Sequence, residues 1–246
     1  MSDETATNLG LDSMHPTSLR RTPVRSPRPS RRRHLLVSGL LTLTVSALTV
    51  GGLAPTASAT HPVPESVAGD PHSPIVARAA TVALDAKALY EQGQTVAGRH
   101  RWEDALTRVA AATAFELGVS RISVEQAWNT ADDEHLTAVL SALTQLGVEY
   151  RSNTSEPFVG FDCSGLTTFA WAQAGVQLSR QSGSQIAEAG QRSPETAMAG
   201  DLVQYPGHVM LYLGVAGAVV HSSNPETDVE LWMLSDRSVR YGDPTA

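Results

Sequence analysis

Three residues of this 246-residue chain have the types needed for nucleophilic attack on a carbonyl: Cys163, its only cysteine, and the histidines His208 and His221. A thiolate can attack the carbonyl carbon, one imidazole can take and return the proton, and a second polar group can orient that imidazole. Cys163 lies in FDCSGLTTFAWAQAG, whose spacing predicts a helix. Asp162 is the expected N-cap and Gly175 the expected C-cap, with Leu166, Phe169, Ala170 and Ala174 as the buried stripe. Cys163 falls three residues before Leu166 and seven before Ala170, on the core side of the first turn. There the free amides and the helix dipole favour a thiolate. The cysteine's own amide is a natural oxyanion donor. Gly165 costs about 1 kcal/mol relative to alanine inside a helix, so its presence predicts a close approach by another part of the chain. A lone cysteine is most often a small buried hydrophobe. Its place at a helix head, with a base available, points instead to reactivity.

The histidines bracket a hairpin. His208 opens HVMLYL and His221 closes AVVH. A two-residue turn at Gly214-Val215 sets them directly opposite, whereas a four-residue loop from Gly214 to Gly217 makes them diagonal neighbours. Both registers leave the two imidazoles on one face of the sheet.

The elements that must position these groups fall into two blocks. Helical patterns run from Ile75 to about Tyr90 and from Trp102 to Leu117, and Ser123-Val-Glu-Gln126 offers a capping box for a short helix. A further helix from about Ala131 to Leu146 carries Leu136, Val139, Leu140, Leu143 and Leu146 on one stripe, with acids in its first turn and Gly147 behind it. Nothing in 75–145 suggests a chemical role, and the region reads as a helical subdomain or packing arm. After the loop RSNTSEPFVG and the cysteine helix come short apolar runs at 201–205, 208–213 and 218–221, with another near 229–234. Helices followed by antiparallel strands predict an α+β domain.

The N-terminal segment has an export pattern. Residues 1–59 hold seven arginines, an uncharged apolar run at 35–54 and the small-residue site Ala57-Ser58-Ala59, which together read as a cleaved signal. An uncleaved anchor is the alternative, since the run is long enough to span a bilayer. Residues 60–74, rich in proline and histidine, read as a linker. Residues 60–246 together carry 11 basic against 22 acidic residues, a formal charge of −11. That charge disfavours nucleic acid and anionic membrane surfaces. An unpaired cysteine in an exported chain is either incidental or reactive.

The series FDCSGL, LSRQSGSQ, GDLVQY, HVMLYLG and VVHSS, in that order, resembles the NlpC family of bacterial cell-wall cysteine peptidases over roughly Leu146 to Ser223. The resemblance implies a papain-like α+β fold, with N-terminal helices packed on a small antiparallel sheet, preceded here by the helical region. The corresponding domain spans 146–246. It implies Cys163 as nucleophile, His208 as base and His221 as the third polar residue. Tyr150 would shape the oxyanion site, Asp162 and Ser164 would support the nucleophile, and Arg180 and Ser182 would border the substrate. The implied substrate is the stem peptide of peptidoglycan, cut by an exported monomer at an amide bond such as that between γ-linked D-glutamate and a diamino acid. No cofactor, metal, nucleic acid or membrane partner is expected. Alternatives are an amidase or acyltransferase using the same thiol, a zinc module of Cys163, His208 and His221, and a catalytically silent wall-binding domain.

Overall fold

Alanine-rich faces start the architecture. In the computed structural model, which describes residues 73–246, α1 (Ser73–Gly93) and α2 (Val96–Leu117) pack along buried small residues that include Ala77, Ala80, Ala105 and Val109. The expected signal segment and nearly all of the expected linker lie outside the described residues. Both helices run longer than the pattern predicts. α2 begins before Trp102 because Thr95 caps it, accepting a hydrogen bond from the Gly98 N–H at 3.0 Å. The next expectation is corrected. Ser120, not Ser123, caps α3 (Arg121–Thr130), and the Ser123 N–H donates to it. Gly118 ends α2 in a left-handed turn, so Ser120 is the residue positioned ahead of the new helix. α4 (Asp133–Leu143) follows under an Asp132 cap.

The expected loop at 151–160 contains part of a small hairpin, β1 (Ser155–Glu156) with β2 (Gly160–Phe161). Then come α5 (Cys163–Gln173) and α6 (Ser182–Glu188). Six further strands form one antiparallel sheet: β3 (Gly190–Arg192), β4 (Leu202–Tyr205), β5 (His208–Tyr212), β6 (Ala218–Ser222), β7 (Val229–Met233) and β8 (Arg240–Asp243). Their order is β3-β8-β4-β5-β6-β7. β3 and β8 have sequences GQR and RYGD, too short and polar to signal strands. The α+β expectation holds.

The sheet has two unlike faces. Val209, Leu211 and Val220 join Leu140 and Leu143 of α4 and Leu166 and Trp171 of α5 in the main core. Each large side chain so buried contributes about 1.5–3 kcal/mol. Trp171, absent from the predicted stripe, is among the most deeply buried side chains. Alternate residues, including Val203, Met210, Tyr212 and Val219, form a small second cluster on the other face.

α4 is also fastened to the sheet by charge. His135 is fully buried, with Nδ1 2.7 Å from Asp132 Oδ1 and Nε2 3.3 Å from both Asp201 Oδ1 and Asp243 Oδ1. Asp243 in turn pairs with Arg192. Burial alone would push the imidazole pKa down, but the hydrogen bonds with Asp201 and Asp132 and the charges of Asp132 and Asp243 raise it above 6.5. Below that raised pKa, His135 is a buried cation joining α4, the start of β4 and the end of β8.

The close approach predicted at Gly165 is present. A Cβ built there would lie 2.0 Å from the Thr154 carbonyl oxygen. Backbone cannot yield as a flexible side chain can, so Gly165→Ala is expected to destabilise the protein by roughly 3 kcal/mol or more, measured by urea unfolding.

Candidate active site

The head of α5 is held by a network converging on Asp162. Its carboxylate accepts the Gly165 N–H at 2.7 Å and the Asn153 N–H at 2.8 Å. Arg180 adds a two-pronged contact, donating to Oδ1 at 2.9 Å and Oδ2 at 2.7 Å, and donates also to Ser164 Oγ at 2.8 Å. Burial would raise the Asp162 pKa, yet the hydrogen bonds from Arg180 and Gly165 bring it below its usual value. Asp162 is thus an ionised cap that sets the direction of the helix starting at Cys163. The far end of α5 closes as a Schellman turn. The Val176 N–H donates to Trp171 O at 2.9 Å, the Gly175 N–H donates to Ala172 O at 3.1 Å, and Gly175 is left-handed. The C-cap residue itself is Ala174, one before the expected glycine.

Cys163 is half-buried and borders the main core. Tyr150 sits nearby, bridged through its backbone to Phe161. Its phenol is pushed above its usual pKa, first by burial and then by the charges of Asp162 and Cys163. Arg180 is committed to Asp162 and Ser164, so it braces the helix that Cys163 heads. Ser182 opens α6. Gln185, a residue the sequence reading passed over, ties α6 to α5: buried, it donates to Ser164 O at 3.1 Å and accepts from Thr167 Oγ1 at 2.7 Å.

The hairpin register selects the four-residue loop. Leu211 pairs with Val220 and Tyr212 with Val219, and the Leu213 N–H donates to Ala218 O at 2.9 Å. His208 and His221 are therefore diagonal neighbours on one face, and His208 Nε2 lies 3.0 Å from His221 Nδ1. Both rings are buried. Burial, with the added charge of Arg237, pushes His208 down to about 4. Burial and the charge of His208 do the same to His221, also to about 4. Both imidazoles are consequently neutral near pH 7.

By strand parity the histidines share the face of Met210 and Val219, turned from α5. They also stand at an end of the sheet, His208 as the first residue of β5 and His221 one residue before the end of β6. At that end the Ser222 Oγ–H donates to the Phe161 carbonyl at 2.8 Å. The chain just ahead of Cys163 is thereby stitched to the strand end that carries His221. Any approach of the Cys163 thiol to these imidazoles therefore runs round the end of the sheet, not across it. A cavity of about 340 Å³ opens beside the pair, lined by Tyr205, His221, Asn224, Glu230, Trp232 and Arg237 among others.

Among the described residues, one group has donors close enough for a metal ion: His135, Asp201 and Asp243, all buried, with ligand atoms within 4.8 Å of one another. These side chains already hydrogen-bond or ion-pair with each other, with Asp132, with Arg192 and with Thr245, which accounts for the cluster as a structural charge network. The sequence reading assigned no chemistry to this region. The signal available was a histidine on the otherwise apolar stripe of α4.

The NlpC/P60 family pattern matches residues 147–240. A probable endopeptidase of Corynebacterium glutamicum (strain R) is 33% identical over 149 residues, covering 59% of this chain and 67% of the relative. The chain belongs to the NlpC/P60 family. The resemblance drawn from FDCSGL, GDLVQY and HVMLYLG is borne out. The peptidoglycan endopeptidase RipB of Mycobacterium tuberculosis is 47% identical over 72 residues, which is 28% of either chain. A crystal structure of an NlpC/P60 family protein from Bacillus cereus aligns at a TM-score of 0.41 and 26% identity, over 44% of this chain and 39% of that one.

Proposed function

We propose that the protein is an exported cysteine endopeptidase that hydrolyses an amide bond in peptidoglycan stem peptides. What carries this reading is the joint at the end of the sheet. A cysteine heads a capped helix, and that head is bonded to the strand end bearing a buried, hydrogen-bonded histidine pair. The names of the family relatives agree with it. Cys163 Sγ attacks the scissile carbonyl carbon while neutral His208 takes the thiol proton. The oxyanion is received by the Cys163 N–H at the head of α5, with Tyr150 beside it. His208 returns the proton to the departing amine, leaving a thioester. Water, deprotonated by His208, then releases the acid and restores the thiol. The bond between γ-linked D-glutamate and a diamino acid is the proposed target. Mass analysis of the products from defined muropeptides tests it, because a cut by an amidase leaves different termini.

Two outcomes follow for the histidine. A base must be unprotonated to act, and a folded-state pKa of about 4 keeps His208 in that form at neutrality. The rate should accordingly be lost only as the pH falls through about 4, and an acid limb near the ordinary histidine value would contradict the assignment. Replacing His208 with alanine should slow alkylation of Cys163 by iodoacetamide near neutral pH by roughly tenfold or more. An unchanged rate would show that this histidine does not activate the thiol.

A further inference from the structure

We infer that Glu230 is a positioning residue that fixes where the histidine pair carries its protons. The inference rests on the reading of Cys163, His208 and His221 as the reacting set. β7 places Glu230 directly opposite His221 in the register, and its Oε1 lies 3.5 Å from His221 Nε2. That nitrogen is buried and makes no hydrogen bond among the described residues, the Glu230 oxygen standing at ion-pair distance, whereas its ring partner Nδ1 is 3.0 Å from His208 Nε2.

Proton counting then gives one consistent arrangement. Between His208 Nε2 and His221 Nδ1 there is room for a single hydrogen, since each ring is neutral and one nitrogen must accept. With a carboxylate facing it, His221 carries its proton on Nε2, directed at Glu230. His221 Nδ1 is then a lone pair and accepts the Nε2–H of His208. His208 Nδ1 is left as a lone pair, the form able to take a proton from a thiol. Without an acceptor at position 230, a buried Nε2–H would be stranded. The His221 proton would move to Nδ1 and donate to His208 Nε2, and the His208 proton would be forced onto Nδ1, where no base remains. Glu230 thus acts two residues removed from the substrate bond, through His221 on His208.

The decisive measurement is nitrogen NMR of the full-length protein with labelled histidines, the signals of His208 and His221 being assigned by substitution. Both rings are expected to be protonated on Nε2. A His221 protonated on Nδ1 in the unaltered protein would overturn the inference without any variant. In Glu230→Ala both protons are expected on Nδ1, and kcat for muropeptide hydrolysis is expected to fall roughly 10- to 100-fold with little change in KM. Glu230→Gln keeps an acceptor oxygen and should restore the Nε2 protons and most of kcat. An alanine variant with unmoved protons or an undiminished kcat would sink the inference. Cys163→Ala, run alongside, separates the two claims: hydrolysis surviving there refutes the thiol reading itself, whereas its loss together with a normal Glu230→Ala enzyme refutes only the role of Glu230.

Discussion

Hydrolysis of muropeptides by the Cys163→Ala protein is expected to fall by roughly 10⁴-fold or more, the scale on which a covalent nucleophile contributes. The fold should survive the change. Cys163 is half-buried, and α5 is held at its head by Asp162, Arg180 and the Ser222–Phe161 bond, none of which involves sulfur. A melting curve close to that of the unaltered protein, combined with absent product by mass analysis, is the expected pair of results. Undiminished cleavage would remove the thiol from the mechanism.

The second large effect concerns stability. His135→Ala is expected to cost about 3–5 kcal/mol in urea unfolding, because it leaves Asp201 and Asp243 buried beside each other with one cation fewer. The pH dependence gives the effect a signature. The folded-state pKa of His135 is raised above 6.5, so its contribution is fully present below that value and fades as the pH rises through the raised one. Asp243 behaves in the opposite sense. Burial would raise it, but hydrogen bonds from Thr245 and Arg192 hold it below 3.8, so its contribution is present above 3.8 and fades as the pH falls through the lowered value. The gap between the unaltered and His135→Ala proteins should hence be widest in mildly acidic buffer and narrow in alkaline buffer. A gap independent of pH would mean that packing, not charge, is what His135 supplies.

The parts of this molecule written in local pattern were readable from its sequence. The cap at Asp162, the close approach at Gly165 and the shared face of the two histidines follow from helix and strand periodicity, and the coordinates bear each out. The exact register did not follow, because a glycine-bounded loop of either length satisfies the same pattern. β3 and β8 escaped notice because their pairing is decided by distant partners and not by their own composition. Glu230 was illegible for a related reason. It reads as one more exposed acid until β7 is laid against β6 and sets it opposite His221. His135 is the sharper case. Its three carboxylate neighbours come from positions 132, 201 and 243, and nothing in the linear order of the chain announces that they share one cage.

The sharing of one core by α4 and α5 bears on anyone who wishes to borrow this fold. The recognisable family pattern begins at residue 147, yet Leu140 and Leu143 lie under α5, Gln145 Oε1 receives the Phe158 N–H at 2.9 Å, and His135 reaches across to the sheet. A module excised at the pattern's edge for fusion or display would part company with its own floor. The first residue of a transplantable unit lies upstream of Asp132.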